Sequence, residues 1–367
     1  MSTTPRRRDL LRGLAGMMAA LCLDTGPAWG QPRRGGGPSG LPPVPQGGPK
    51  ILDVHAHLLR TPQSDLRDAV RPALEAMDRL EIARTLLMPP PQPPGSRMPY
   101  DFDSLLPLIQ PHADRLAFLG GGGTLNPMLH RNVPVTDSVR HDFTAAAERI
   151  VRAGAAGFGE ITAHHVSYFP QHPYETVTAD HPLLRLLADI AQRYDVPIDL
   201  HLDPIPQDMP TPPRLAERSS ANPRVLAANI DGFERLLGHN RGARIVWAHA
   251  GRDTLGTWTV ALTRRLLERH PNLFLSLSMH PPFGVVAENS LLDAAGQANP
   301  AWVDLLRDFP DRAVVGSDFF HQATGRDAST LPPPTAAVRR FINALPAELA
   351  RKVAHGNAMQ LYRQKIA

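Results

Sequence analysis

The chain has a single cysteine among its 367 residues, Cys22. It lies in an apolar stretch near the N-terminus, so a mature protein without that stretch has no thiol. Disulfide scaffolds, thiolate metal sites and cysteine nucleophiles are then excluded. Lysine is absent from the whole interval between Lys50 and Lys352. No internal run is apolar for long enough to span a membrane. An excess of one sign of charge is missing too. Lys and Arg number 39 against 35 Asp and Glu, a net of +4. Half of that excess falls in residues 1–30, where Arg6, Arg7, Arg8 and Arg12 face only Asp9 and Asp24. Elsewhere the two signs are mixed, as on a solvated surface, so nucleic acid is not an expected partner. There is no solenoid repeat. No Gly-x-Gly-x-x-Gly or Walker loop follows the first apolar run. The glycines Gly120–Gly123 have no lysine after them, which leaves little support for a nucleotide site.

What is present begins with an address. Arg7-Arg8-Asp9-Leu10-Leu11-Arg12 resembles the twin-arginine export motif, with Leu and Arg in place of the usual Phe and Lys. An apolar run from Leu14 to Leu23 and small residues at Ala28 and Gly30 follow in the order of a cleavable signal, with cleavage expected near Gly30. Leu21 stands where a lipid-anchor motif needs a small residue, so no stable membrane anchor is expected. Residues 1–30 thus read as a signal peptide and 31–50, rich in Pro and Gly, as a flexible linker. The export machinery is the implied partner, and the expected location is periplasmic or secreted. The folded domain is expected over 51–367.

From Ile51 onward short apolar runs alternate with longer amphipathic ones. Strands are predicted at Ile51–His55, Arg84–Met88, Leu116–Gly123, Ala155–Ile161, Pro197–Leu202, Arg244–His249, Leu273–Ser278 and Ala313–Asp318. Helical spacing covers Leu66–Leu80, Ala145–Arg152, Leu183–Tyr194, Ile230–Leu237, Leu262–Arg269 and Trp302–Phe309, and the C-terminal remainder is helical. Between strands two and three the sequence reads as a Pro-rich loop. Nearly continuous apolar strands separated by helices argue for a parallel sheet buried on both faces. Eight such units in one domain argue for an α/β fold of the (β/α)₈ TIM-barrel type, with its active site at the carboxyl ends of the strands.

The residues with chemistry fall at those ends. Asp53-Val54-His55-Ala56-His57 closes the first strand, and residues two apart on a strand share a face. Two imidazoles so placed can chelate one cation. A lone His-x-His is also what two solvated histidines look like, and its place at a strand end is what sharpens it. Glu160 follows the fourth apolar run, His201 ends the fifth, His249 the sixth and Asp318 the eighth. Taken singly each reads as a cap or a buried hydrogen-bonded group; together they form a metal-competent set.

This pattern resembles the amidohydrolase superfamily, in particular its amidohydrolase-related metal-dependent hydrolases and the aminocarboxymuconate-semialdehyde-type decarboxylases. The resemblance spans roughly residues 51–362. His55 and His57 match the first-strand pair, His201 and His249 the histidines of strands five and six, and Asp318 the eighth-strand aspartate. Gly356-Asn357-Ala358 looks like the start of the closing helix. Many members carry a carbamylated lysine where Glu160 stands. The missing lysines exclude that chemistry here, and some branches use glutamate instead.

The resemblance implies a divalent metal. One ion would take His55, His57 and Asp318, with Glu160 or His201 added. Two ions would use His201 and His249 for the second, with Glu160 as bridge. His and carboxylate donors suit zinc first, with manganese, iron and cobalt as alternatives. The resemblance makes Asp318 the proton shuttle, and His249, where it is not a ligand, the group that polarises a carbonyl. His164 and His165 are candidates to line the pocket, and Arg252 to hold a substrate carboxylate. Asp253 reads as a cap or a substrate contact, Trp247 as core, and His280 and His321 fall just past strands seven and eight. The implied function is hydrolysis of an amide, ester or lactone bond in a small organic molecule. Nonhydrolytic decarboxylation on the same scaffold is the first alternative, and a non-catalytic exported ligand-binding barrel the second. A homo-oligomer is compatible with the sequence. The substrate depends on Pro-rich loops, notably Pro89–Met98 and Asp203–Arg214.

Overall fold

A computed structural model describes residues 47–60, 64–96, 99–279, 287–293, 295–323 and 336–366. The signal-peptide reading of residues 1–30, most of the linker and His280 lie outside the described residues. The barrel strands are β1 (Ile51–Leu58), β2 (Ile82–Leu87), β3 (Leu116–Phe118), β4 (Phe158–His165), β5 (Ile198–Leu202), β6 (Ile245–Ala250), β7 (Leu273–Leu277) and β8 (Ala313–Val315). Each neighbouring pair is parallel, and β8 returns to β1 through Asp53 and Val315. The junction between β3 and β4 uses Gly120–Gly121, which continues β3 past Leu119 and pairs with Phe158 and Gly159. Leu119 itself donates its N–H to Leu87 O at 2.9 Å. Eight parallel strands therefore close in sequence order, as the (β/α)₈ reading requires.

The outer helices are α1 (Leu66–Leu80), α2 (Phe102–Ile109), α3 (Asp137–Arg152), α4 (Pro182–Tyr194), α5 (Ile230–His239), α6 (Val260–Arg269), α7 (Pro300–Asp308) and α8 (Ala337–Ala344). Each has its local reason. Asp65 caps α1, and Asp68 completes the reciprocal capping bond. Helix α2 is where a loop was expected. Pro107 inside it and the Pro-rich approach mask an N-cap at Asp101 and an apolar stripe of Phe102, Leu105 and Ile109, all buried. Helix α3 begins eight residues before the expected start because Thr136 caps a polar first half.

Two apolar layers follow from strand alternation. One, between strands and helices, includes Ile51, Leu87, Phe158, Phe233 and Trp302. The other, inside the barrel, joins Leu52, Val54, Leu86, Leu119, Val246 and Val314 to Ala358, Leu361 and Tyr362 of the C-terminal segment. The loops after β4, β5 and β6 share a smaller cluster of Val166, Tyr168, Ile205, Leu215, Leu226 and Leu255. That cluster belongs to the carboxyl-end loops.

Candidate metal centre

His55 and His57 are both fully buried, and their Nε2 atoms lie 3.1 Å apart. The other nitrogen of each ring is engaged. His57 Nδ1 is 3.0 Å from Met88 O, and a carbonyl only accepts, so Nδ1 carries the proton. His55 Nδ1 is 3.1 Å from Asp199 Oδ1, an ion-pair contact without hydrogen-bond geometry, and the carboxylate's charge favours the proton on that nitrogen. In the neutral rings both Nε2 atoms then present lone pairs to each other, and such a contact needs a cation between them. Either a proton or a metal ion can serve. Burial opposes a protonated His55, but the carboxylates of Asp199 and Glu160 outweigh it and push its pKa well above the usual range.

Carboxylates close the ring around this point. Asp318 Oδ1 is 3.3 Å from His57 Nε2 and 3.8 Å from His55 Nε2. Glu160 Oε2 is 3.5 Å from each of the two Nε2 atoms. Its other oxygen, Oε1, is 2.7 Å from His201 Nδ1 and 3.0 Å from His249 Nε2. Glu160 thus turns one oxygen to each histidine pair. Two three-residue groups have ligand atoms close enough to hold an ion: His55, His57 and Asp318, and His55, Glu160 and His249. Burial alone would raise the Glu160 carboxyl, but the charge of His55 and hydrogen bonds from His201 and His249 hold it well below the usual range. Asp318 is likewise held well down against its burial, by His249 and Arg252 first. These groups suit a divalent cation with nitrogen and oxygen donors.

The backbone is bent to make this arrangement. His249 and Asp318 have φ of 67° and 56°, the left-handed region. A non-glycine residue pays about 1–2 kcal/mol there. Both sit where β6 and β8 end, and the turn brings His249 Nδ1 to 3.7 Å from Asp318 Oδ2. Just before Asp318, Gly316 leaves room that no side chain could share. A Cβ there would lie 1.8 Å from Ser276 Oγ and 3.0 Å from His55 Cβ.

Comparison with known proteins agrees with this geometry. The family profile described as amidohydrolase matches residues 125–364. The chain belongs to the amidohydrolase family. Among solved structures this amidohydrolase is similar to a dihydroorotase from Campylobacter jejuni, at 15% identity over 87% of this chain and 85% of that one, with a TM-score of 0.48. It is also similar to amidohydrolase 2 from Bifidobacterium longum subsp. infantis, at 12% identity over 86% and 99%, with a TM-score of 0.36. No curated protein matches the sequence.

Of the residues singled out in the sequence, the amidohydrolase barrel gathers His55, His57, Glu160, His201, His249 and Asp318 at one point. Arg252 also reaches it, but through Asp318, whose Oδ2 accepts from Nη1. His164 turns aside, with Nε2 3.3 Å from Tyr174 Oη and Nδ1 3.8 Å from Asp203 Oδ2. Its neighbour His165 is the nearer, with ring centroid 4.2 Å from that of His201. Asp253 caps a turn by accepting from the N–H groups of Leu255, Gly256 and Thr257. Trp247 is core, stacked on Trp258 at 4.1 Å. His321 is buried, and burial first and the charge of His57 second push its pKa down to about 3.

Three aspartates were not singled out. Asp53 accepts from Ser317 N at 2.8 Å, Ser317 Oγ at 2.5 Å and His55 N at 3.3 Å, so it pins the ends of β1 and β8 together. Asp199 backs His55. Asp203 Oδ1 lies 3.7 Å from His201 Nε2. The signal was available in the two-residue spacing. Asp53, His55 and His57 follow one another at that interval, and so do Asp199, His201 and Asp203.

Proposed function

We propose that this amidohydrolase is a metal-dependent hydrolase that cleaves an amide, ester or lactone bond in a small organic substrate. The observation that carries the reading is the pair of Nε2 atoms 3.1 Å apart, each ring with an oxygen beside its own Nδ1, with oxygens of Glu160 and Asp318 around them. A divalent cation held there supplies Lewis acidity, which makes water a nucleophile near pH 7 and polarises a carbonyl. His55, His57 and Asp318 Oδ1 would hold one ion. His201 and His249 would serve a second, with Glu160 between the two sets. Zinc suits these donors, as do manganese, iron and cobalt.

The chain's own residues do the rest. Asp318 is held as a carboxylate at neutral pH and so can take a proton from the attacking water and pass it to the leaving nitrogen or oxygen. Its Oδ2 is also the atom that Arg252 holds, so the guanidinium must yield as that proton arrives. If His249 is not a ligand, it is the residue that polarises the substrate carbonyl. The neutral His165 forms part of the surrounding wall, its pKa held well below the usual value by burial first. Residues 1–30 complete the proposal as a twin-arginine signal that delivers the enzyme to the periplasm or beyond.

Metal analysis of the purified domain tests this reading, with His55→Ala and Asp318→Asn beside it. Wild type is expected to hold at least one divalent ion per chain after reconstitution, and His55→Ala to lose it. Wild type that takes up none would refute the metal centre. A screen of esters, lactones, amides and aromatic carboxylic acids then reads the bond cut, with Asp318→Asn expected to be inactive. Release of carbon dioxide in place of ester, lactone or amide cleavage would replace hydrolysis by decarboxylation.

A further inference from the structure

The buried carboxylates around the metal centre outnumber the permanent cations that meet them. Glu160, Asp199, Asp203 and Asp318 are all buried. Among the described residues their ion pairs involve histidines and a single guanidinium, that of Arg252. Arg252 leaves the turn after β6, where its backbone N–H donates to His249 O at 3.0 Å. Its Nη1 donates to Asp318 Oδ2, its Nε is buried without a hydrogen-bond partner, and its guanidinium carbon stands 5.9 Å from the Tyr168 ring centroid. The side chain is 13% exposed, so solvent screens it little. Asp318 is thus shared. Oδ2 serves Arg252, while Oδ1 faces the two histidine nitrogens. A divalent cation beside Oδ1 and a guanidinium on Oδ2 are like charges on either side of one carboxylate, and away from bulk water they repel.

We propose that Arg252 is the resident counter-charge of this carboxylate cluster and lowers the affinity of the site for a divalent cation. The proposal rests on the reading of the site as a metal centre. Arg252 has two effects in this role. It neutralises Asp318 when the ion is stripped, so the emptied site stays folded, and it opposes the ion's return. A guanidinium that merely aimed Oδ1 at the ion would have the opposite effect, because its removal would loosen the ion. A guanidinium kept for the substrate alone would leave ion binding unchanged.

Zinc binding to the whole folded chain decides among these. Affinity is read by competition with a chromophoric chelator, and thermal unfolding is followed with and without zinc. Arg252→Gln and Arg252→Met are expected to bind zinc tighter than wild type by about tenfold or more. Stripped of zinc they unfold at a lower temperature than wild type, whereas with zinc bound the difference narrows. Arg252→Lys keeps the charge and is expected to bind zinc closer to wild type than to the charge-free variants. If the charge-free variants fold only with zinc, Arg252→Lys must fold without it. Equal or weaker zinc binding in both charge-free variants overturns the proposal, and so does a lysine variant that behaves like them. Wild type that takes up neither zinc nor manganese, iron or cobalt overturns both the metal centre and this role, an outcome seen before any variant is made.

Discussion

His201 shows how a single residue couples proton and metal. Its Nδ1 is 2.7 Å from Glu160 and its Nε2 is 3.7 Å from Asp203. Burial alone would lower its pKa, but the two carboxylates push it up to about 9. Below that pH the metal-free ring carries two protons, and a cation at Nδ1 must displace one. The affinity of the His201 side of the site for a metal should therefore rise with pH until about pH 9. Zinc titrations by calorimetry at pH 7, in buffers of different ionisation enthalpy, should show proton release. No release would remove His201 from the ligands. Much of the site was legible at this scale because each ligand closes an apolar run, and the His55 and His57 spacing places both on one face. The supporting carboxylates were harder to see. Asp199 and Asp53 look like ordinary polar members of a strand until the fold brings Asp199 to His55 and Asp53 to Ser317. Arg252 looked like a substrate contact because nothing in the sequence places it against Asp318, 66 positions away.

The strands were legible because their interiors are apolar and turn residues bound them. Helix α2 was not, since Pro107 lies inside it and prolines crowd the approach. Strand β4 runs on to His165, beyond the expected end at Ile161, because Glu175–Thr176 pairs antiparallel with its last two residues. Close packing of strand on strand is invisible in the sequence, and Gly316 is the sharpest case. Alanine there would press on Ser276 of β7 and His55 of β1 together. Overpacking of this kind costs about 1–3 kcal/mol. Gly316→Ala is expected to lower the urea midpoint and also the zinc content, since the strain reaches His55. Combining it with Ser276→Gly removes both of the Ser276 atoms in the way, so the double variant should recover stability and part of the metal. A double variant no better than Gly316→Ala would place the strain elsewhere.

At the scale of the whole molecule, the eight-unit alternation announced the barrel, but not what fastens its ends at the face opposite the metal centre. Arg339 does so. It lies in α8 beside Val338, Phe341 and Ile342, where a sequence reading would leave it in solvent, yet it is fully buried. Its guanidinium donates to Pro49 O at 2.7 Å, Leu80 O at 2.9 Å and Glu81 O at 3.0 Å. Pro49 leads into β1, and Glu81 is the left-handed cap of α1 that feeds β2. One side chain of α8 thus secures the first strand–helix unit. Methionine at this position would fill similar space but take this donor from the carbonyls of Pro49 and Leu80, while Glu81 O keeps the Ile51 N–H at 3.2 Å. Each buried unpaired group costs about 1–3 kcal/mol. Arg339→Met should lose about 3 kcal/mol, read as a lower urea midpoint at an unchanged slope. Its folded fraction should bind zinc as wild type does, because stability at the amino ends of barrel strands is separable from chemistry at the carboxyl ends. Gly316→Ala, in contrast, should lose both. An Arg339→Met protein that stayed folded but lost its zinc would mean that the two faces of this barrel are coupled.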